Sequence, residues 1–87
     1  MKDILYAIIA RSQPEGFKCD FVNPVKEVDK TIVNAIETYH DKPKGAAKIG
    51  AFLSMQMDYF KNKEDSHACK VLENSINKLS RISGMIS

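Results

Sequence analysis

Residues 23–40 read NPVKEVDKTIVNAIETYH, and this stretch decides the fold. Val25, Val28, Ile32, Ala35, Ile36 and Tyr39 recur at the spacing of one helical stripe, the signature of a helix that buries a single face. Lys26, Glu27, Asp29, Lys30, Asn34 and Glu37 fill the other side with interleaved charge, the pattern of a solvated helix face. Asn23 suits a helix N-cap, and Pro24 suits the first helical position, where its missing N–H would have no partner in any case. The helix is expected to end near His40, ahead of Pro43.

The flanking sequence extends the same reading. From about Ala46 to Lys61, the residues Ile49, Phe52, Leu53, Met55, Met57, Tyr59 and Phe60 cover more than half of a helical circumference. A face that wide predicts a central helix, or one that also meets a partner. After Asp65, a suitable N-cap, Cys69, Leu72, Ile76 and Leu79 form a further apolar stripe up to Ile82 or Ser83. Gly84 is expected to stop this helix. The beginning is ambiguous. Ile4 to Arg11, after Asp3, reads as a short, largely buried helix, but Phe17, Cys19 and Phe21 alternate with Lys18 and Asp20 as a strand would. Residues 4–21 are therefore expected to form a short helix, with a β-hairpin as the alternative.

The fold class that follows is mainly α. The chain is expected to be one domain over residues 1–87, a small antiparallel bundle of three long helices plus the short N-terminal element, joined by short connections. A chain of 87 residues buries only about 60% of the surface it exposes when unfolded, so its core is thin. The 44% hydrophobic and 28% charged residues are those of a folded domain. A net charge of +2 is too small to argue for a nucleic-acid partner. The run Ile4–Ala10 is too short to cross a bilayer and is read as core. Two cysteines, Cys19 and Cys69, are fewer than a disulfide scaffold of this length carries. Reduced thiols and a cytoplasmic location are expected, with one long-range disulfide as the alternative.

No catalytic constellation is legible. His67 and Cys69 stand two apart on a helix and point to different sides, and no close Cys or His pair flanks a tight turn, so neither a metal site nor a cofactor is expected. Cys69 lies near a helix start with His67 and His40 as conceivable bases, yet it also belongs to the apolar stripe, where a structural cysteine is the better reading. The carboxylate pairs Glu64/Asp65 and Glu27/Asp29 read as a helix start and a solvated face, without the apolar surroundings that would prepare them for acid–base work. The chain is not expected to be an enzyme.

Two surfaces stand out instead. Lys42, Lys44 and Lys48 surround the expected start of the third helix, where Gly45 and two alanines leave backbone donors accessible. This is a recipe for binding an anion such as a phosphate, a nucleotide or an acidic side chain. It is not a P-loop, whose glycine and lysine order is absent. The second surface is apolar: Met55, Met57, Tyr59 and Phe60, with Met85 and Ile86 beyond Gly84. Methionine-rich surfaces suit adaptable binding.

The expected function is a small non-enzymatic protein-binding module, of the kind represented by bacterial or phage inhibitors, immunity proteins and regulatory adaptors. Met55, Tyr59 and Phe60 would be the contacts and the lysines would steer an acidic partner. A homodimer is a second way to cover the wide apolar face. The alternatives are an anion- or nucleotide-binding module at Lys42, Lys44, Gly45 and Lys48, and a DNA-binding regulator. The latter would use Lys70, Asn74, Asn77, Lys78 and Arg81 of the last helix.

Overall fold

A computed structural model describes residues 2–86, with side chains to residue 83. It contains four helices: α1 (Lys2–Arg11), α2 (Glu27–Tyr39), α3 (Gly45–Asn62) and α4 (Ser66–Ile86). Among the described residues there is no strand, so the hairpin alternative for residues 4–21 gives way to the helix. The alternation at Phe17, Cys19 and Phe21 is nonetheless real. All three are half-buried against the core while Lys18 and Asp20 face out. A period of two marks an extended chain with one buried face, and here that chain lies on helices rather than in a ladder.

Each helix meets two neighbours around a ring, α1 with α2, α2 with α3, α3 with α4 and α4 with α1, and α2 also meets α4 across the middle. Opposed pairings give the directions. Glu27 at the start of α2 reaches Tyr59 near the end of α3, while Tyr39 at the other end stacks on Phe52 at 6.2 Å. The two helices are therefore antiparallel. The core runs down the ring, with Ile9, Ile32, Ile36, Ile49, Leu53, Phe60, Leu72 and Leu79 buried. The third helix is the most heavily packed of the four, as its wide apolar face suggested, against α4 first and α2 second. It does not touch α1, and α2 and α4 are the elements that meet all three others. The extra apolar residues of α3 are divided between the α2 contact, the α4 contact and the surface.

The start of α2 differs from the expectation. The helix begins at Glu27, with Lys26 extended in the N-cap position and making no side-chain cap. Asn23 and Pro24 do not cap it, because Asn23 belongs to a separate turn in which the Asp20 carboxylate accepts the N–H groups of Val22 and Asn23. Val25, placed on the stripe by its spacing, precedes the helix and is 85% exposed. α4 follows its reading more closely: Asp65 accepts the Ala68 N–H at 3.0 Å, the geometry of an N-cap. Gly84 does not stop α4, which runs to Ile86. A glycine inside a helix costs about 1 kcal/mol but ends it only by turning left-handed.

The turn between α2 and α3 is tight for a specific reason. Lys44 takes the left-handed conformation, φ 56°, that a glycine usually supplies. Gly45 is needed for space instead: a Cβ there would come within 2.5 Å of the Tyr39 carbonyl oxygen.

A buried amide network fastens the end of α1 to α4. The Gln13 Nε2 shares its two N–H donors among the carbonyls of Ile9 and Val71 and the Ser75 hydroxyl, and its Oε1 accepts from Asn74. Ser75, fully buried, donates its hydroxyl hydrogen bond to the Val71 carbonyl at 2.7 Å.

Candidate functional site

α3 carries the first candidate surface. Residues 48, 55 and 59 repeat at intervals of seven and four, so Lys48, Met55 and Tyr59 share one helical stripe. Eleven residues at 1.5 Å rise spread it over about 17 Å. Met55 is 73% and Tyr59 43% exposed. Phe60 belongs to a different side and is wholly buried, so it has no surface to offer a partner. Its edge instead supports the Tyr59 ring at 5.2 Å. Met57 is half-buried against the core. Met85 and Ile86 lie outside the described side chains.

Tyr59 is held before anything binds. Its hydroxyl donates to Glu27 Oε1 at 2.7 Å, Lys63 Nζ lies 3.2 Å from Glu27 Oε2, and the same ammonium sits 4.6 Å from the Tyr59 ring centre. Those two hydrogen bonds, from Tyr59 and then Lys63, hold the Glu27 carboxyl below its usual range. Tyr59 and Glu27 in turn raise Lys63. An aromatic side chain with its rotamer fixed has less entropy to lose on contact.

The lysine loop is as basic as its sequence implies: Lys42, Lys44 and Lys48 are all exposed, and no side chain caps the first turn of α3. The small residue at position 45 is accounted for by the Tyr39 carbonyl rather than by a ligand. On α4 the prospective DNA-reading face is broken. Asn74 turns inward to Gln13, and Lys70 lies 4.0 Å from Glu73.

A third region was not anticipated. A groove of about 950 Å³ lies between α1, residues 17–26 and α2. Asp29, assigned by its spacing to the solvated side of α2, is 2% exposed on the floor of this groove. The correction has a plain cause: residues 17–26 fold across that side of the helix. Asp29 Oδ2 accepts the Asp20 N–H at 3.2 Å, while Oδ1 is enclosed without a partner. The signal in the sequence was the long stretch 12–26 itself. An extended segment lying on helices needs acceptors for its N–H groups, and a carboxylate on the helix beneath supplies one.

Across the groove wall, Tyr6 donates to Glu37 at 3.0 Å and Lys2 pairs with the same carboxylate at 3.3 Å. Burial, reinforced by the bond to Glu37, pushes the Tyr6 hydroxyl up to about 12. The bonds from Tyr6 and Lys2 lower Glu37.

Both cysteines are free thiols. Burial and then the neighbouring Asp29 carboxylate push the Cys19 thiol up to about 11. Cys69 is half-buried on its stripe, and His67 stacks on Phe17 at 4.9 Å. Among the described residues no group of three or more His, Cys, Asp or Glu side chains is placed to hold a metal ion. Nor is any helix there long and apolar enough to cross a membrane.

Among the described residues these features make a small four-helix bundle with a buried core, one preorganised apolar and basic stripe, and one groove. No family model matches the chain, and neither a curated protein nor a solved structure does so.

Proposed function

We propose that the chain is a non-enzymatic protein-binding module that engages an acidic partner through the outward stripe of α3. Supporting this reading is the conjunction of Met55 and Tyr59, exposed and one turn apart, with Lys48 on the same stripe and Lys63 over the Tyr59 ring. Met55 supplies an adaptable apolar contact, and Tyr59 a rigid one whose hydroxyl is already bonded. Lys48, with Lys42 and Lys44 beside it, favours a partner with carboxylates next to an apolar centre, while Lys63 is paired with Glu27.

The test is capture from host lysate by the tagged chain, with nuclease treatment in parallel, beside the variants Met55→Asp and Tyr59→Ala. A stoichiometric protein retained by the wild type and lost from both variants, at unchanged helix content, is the expected result. A partner retained by both variants would remove the stripe from the interface. Sedimentation of the purified chain separates this from self-association, which Met55→Asp would abolish if α3 paired with its own copy.

A further inference from the structure

We propose that the groove between α1, residues 17–26 and α2 binds a small molecule carrying a protonated amine on an apolar or aromatic body, with Asp29 receiving the amine. The volume, about 950 Å³, lies at the upper end of the range of small-molecule sites. Its walls are largely apolar, from Ala7 and Ala10 of α1, Phe21 and Val25 of the crossing segment, and Val33 of α2.

Several polar groups around the groove are already bonded. Glu37 is bonded by Lys2 and Tyr6. Asp20 Oδ1 accepts two backbone N–H groups. Lys26 Nζ donates to the Lys18 carbonyl at 3.1 Å. Asp29 Oδ1 is set apart from the exposed polar groups by being enclosed and unpartnered. A carboxylate only accepts hydrogen bonds, and an enclosed one without a partner is costly, so a donor brought to it is favoured and a cationic donor most of all.

The charge around the groove agrees. Four carboxylates and three lysines line it, on a chain whose net charge is +2. The Cys19 thiol, pushed up to about 11 by burial, the Asp29 charge and a hydrogen bond to Asp29, stays protonated at neutral pH, adds no charge of its own and is a weak S–H donor that an ammonium would replace. Access follows from the covering segment. Residues 17–25 have neither helical nor strand hydrogen bonding and are tied down through side chains, and for an amine to reach the enclosed Oδ1 this segment has to shift. A slender ammonium on a flat or aliphatic body asks least of that shift. The site shares no residue with the α3 stripe and stands or falls independently of it.

The probe is 2-phenylethylammonium, titrated into the full chain and followed by backbone amide shifts. Saturable shifts at residues 20–22 and 29 are expected, with none from phenylacetate, which has the same ring and the opposite charge. Asp29→Asn keeps the shape and removes the charge, and it should weaken binding about tenfold or more. Ala7→Trp, at an exposed helical position on the groove wall, should block binding while leaving Asp29 untouched, which guards against misfolding of the first variant. Absence of saturable shifts would overturn the proposal. So would equal binding by Asp29→Asn or equal binding by phenylacetate.

Discussion

The two sides of α2 are built differently. Toward α3 the connection is short, the helices pack directly along their length, and Tyr39 stacks on Phe52. Toward α1 the chain takes residues 12–26 to make the same journey, and part of that length is laid between the helices as extended backbone tied down through Asp20, Lys26 and Asp29. Both sides carry a similar clasp, a glutamate of α2 that accepts one tyrosine hydroxyl and one lysine ammonium: Glu27 with Tyr59 and Lys63, Glu37 with Tyr6 and Lys2. The clasps are alike while the interfaces differ. Surface polar pairs do not decide how tightly two helices close; the apolar side chains between them do. Where an extended segment intervenes, a groove remains.

The comparison breaks first on core truncations. Leu53→Ala, on the closed side and fully buried, should cost about 2–5 kcal/mol in urea denaturation. Phe21→Ala, half-buried on the open side and stacked on Tyr6 at 5.1 Å, should cost no more than about 2 kcal/mol, because solvent already reaches the site. Equal losses would mean that the crossing segment is as much core as α3.

Two glycines sharpen the contrast. Gly45→Ala places a methyl group against a backbone oxygen that cannot give way, and a loss of about 1–3 kcal/mol should appear in the melting curve. Gly16, at φ 98°, has open space around it. Gly16→Ala should cost about 1 kcal/mol, through backbone conformation alone. An unchanged melting temperature for Gly45→Ala would show that the α2–α3 turn can open.

A smaller global effect, but a local one, is expected at Asp29. Asp29→Ala removes the acceptor for the Asp20 N–H and should speed proteolytic cleavage within 17–26 several-fold, while the free energy of global unfolding changes by about 1 kcal/mol or less. If cleavage is unchanged, the segment is held by Phe17 and Phe21 rather than by the carboxylate.

The smallest effect concerns the clasps. Both glutamates are lowered below the ordinary value of 4.5 by hydrogen bonds present only in the folded state. Their contribution is therefore complete above that ordinary value and is lost as the pH falls through the lowered folded value. Thermal unfolding between pH 5 and about 2 should fall less steeply for Glu27→Gln and Glu37→Gln than for the wild type, by a modest margin because both carboxylates are exposed. A steeper fall in either variant would reverse the sign of the argument.

What was legible in the sequence follows the same division. α3, α4 and the length of α2 could be read because each buries one stripe at helical spacing, and Asp65 could be read as a cap because its acceptor serves the helix it precedes. The start of α2 could not. Asn23 and Pro24 have the right chemistry for a helix start, but a turn organised by Asp20 took them first. Phe60 was misassigned because seven apolar residues on one helix do not reveal which of them the neighbours will claim. Asp29 was misread because patterning treats a helix as having one covered side, whereas the crossing segment covers a second.

The Gln13 side chain has a consequence of another kind. Its carboxamide joins residues 58 and 62 positions apart in the chain, and such a link is among the last that a folding chain can afford, since the closure entropy must be met before the contact gives anything back. α3 and α4, adjacent in sequence and in space, are placed to come together first, with α2 joining through its short turn. We expect Leu5→Ala to speed unfolding and leave the folding rate nearly unchanged, and Leu72→Ala to slow folding. The first helix, by that order of events, is a latch closed on a body already formed.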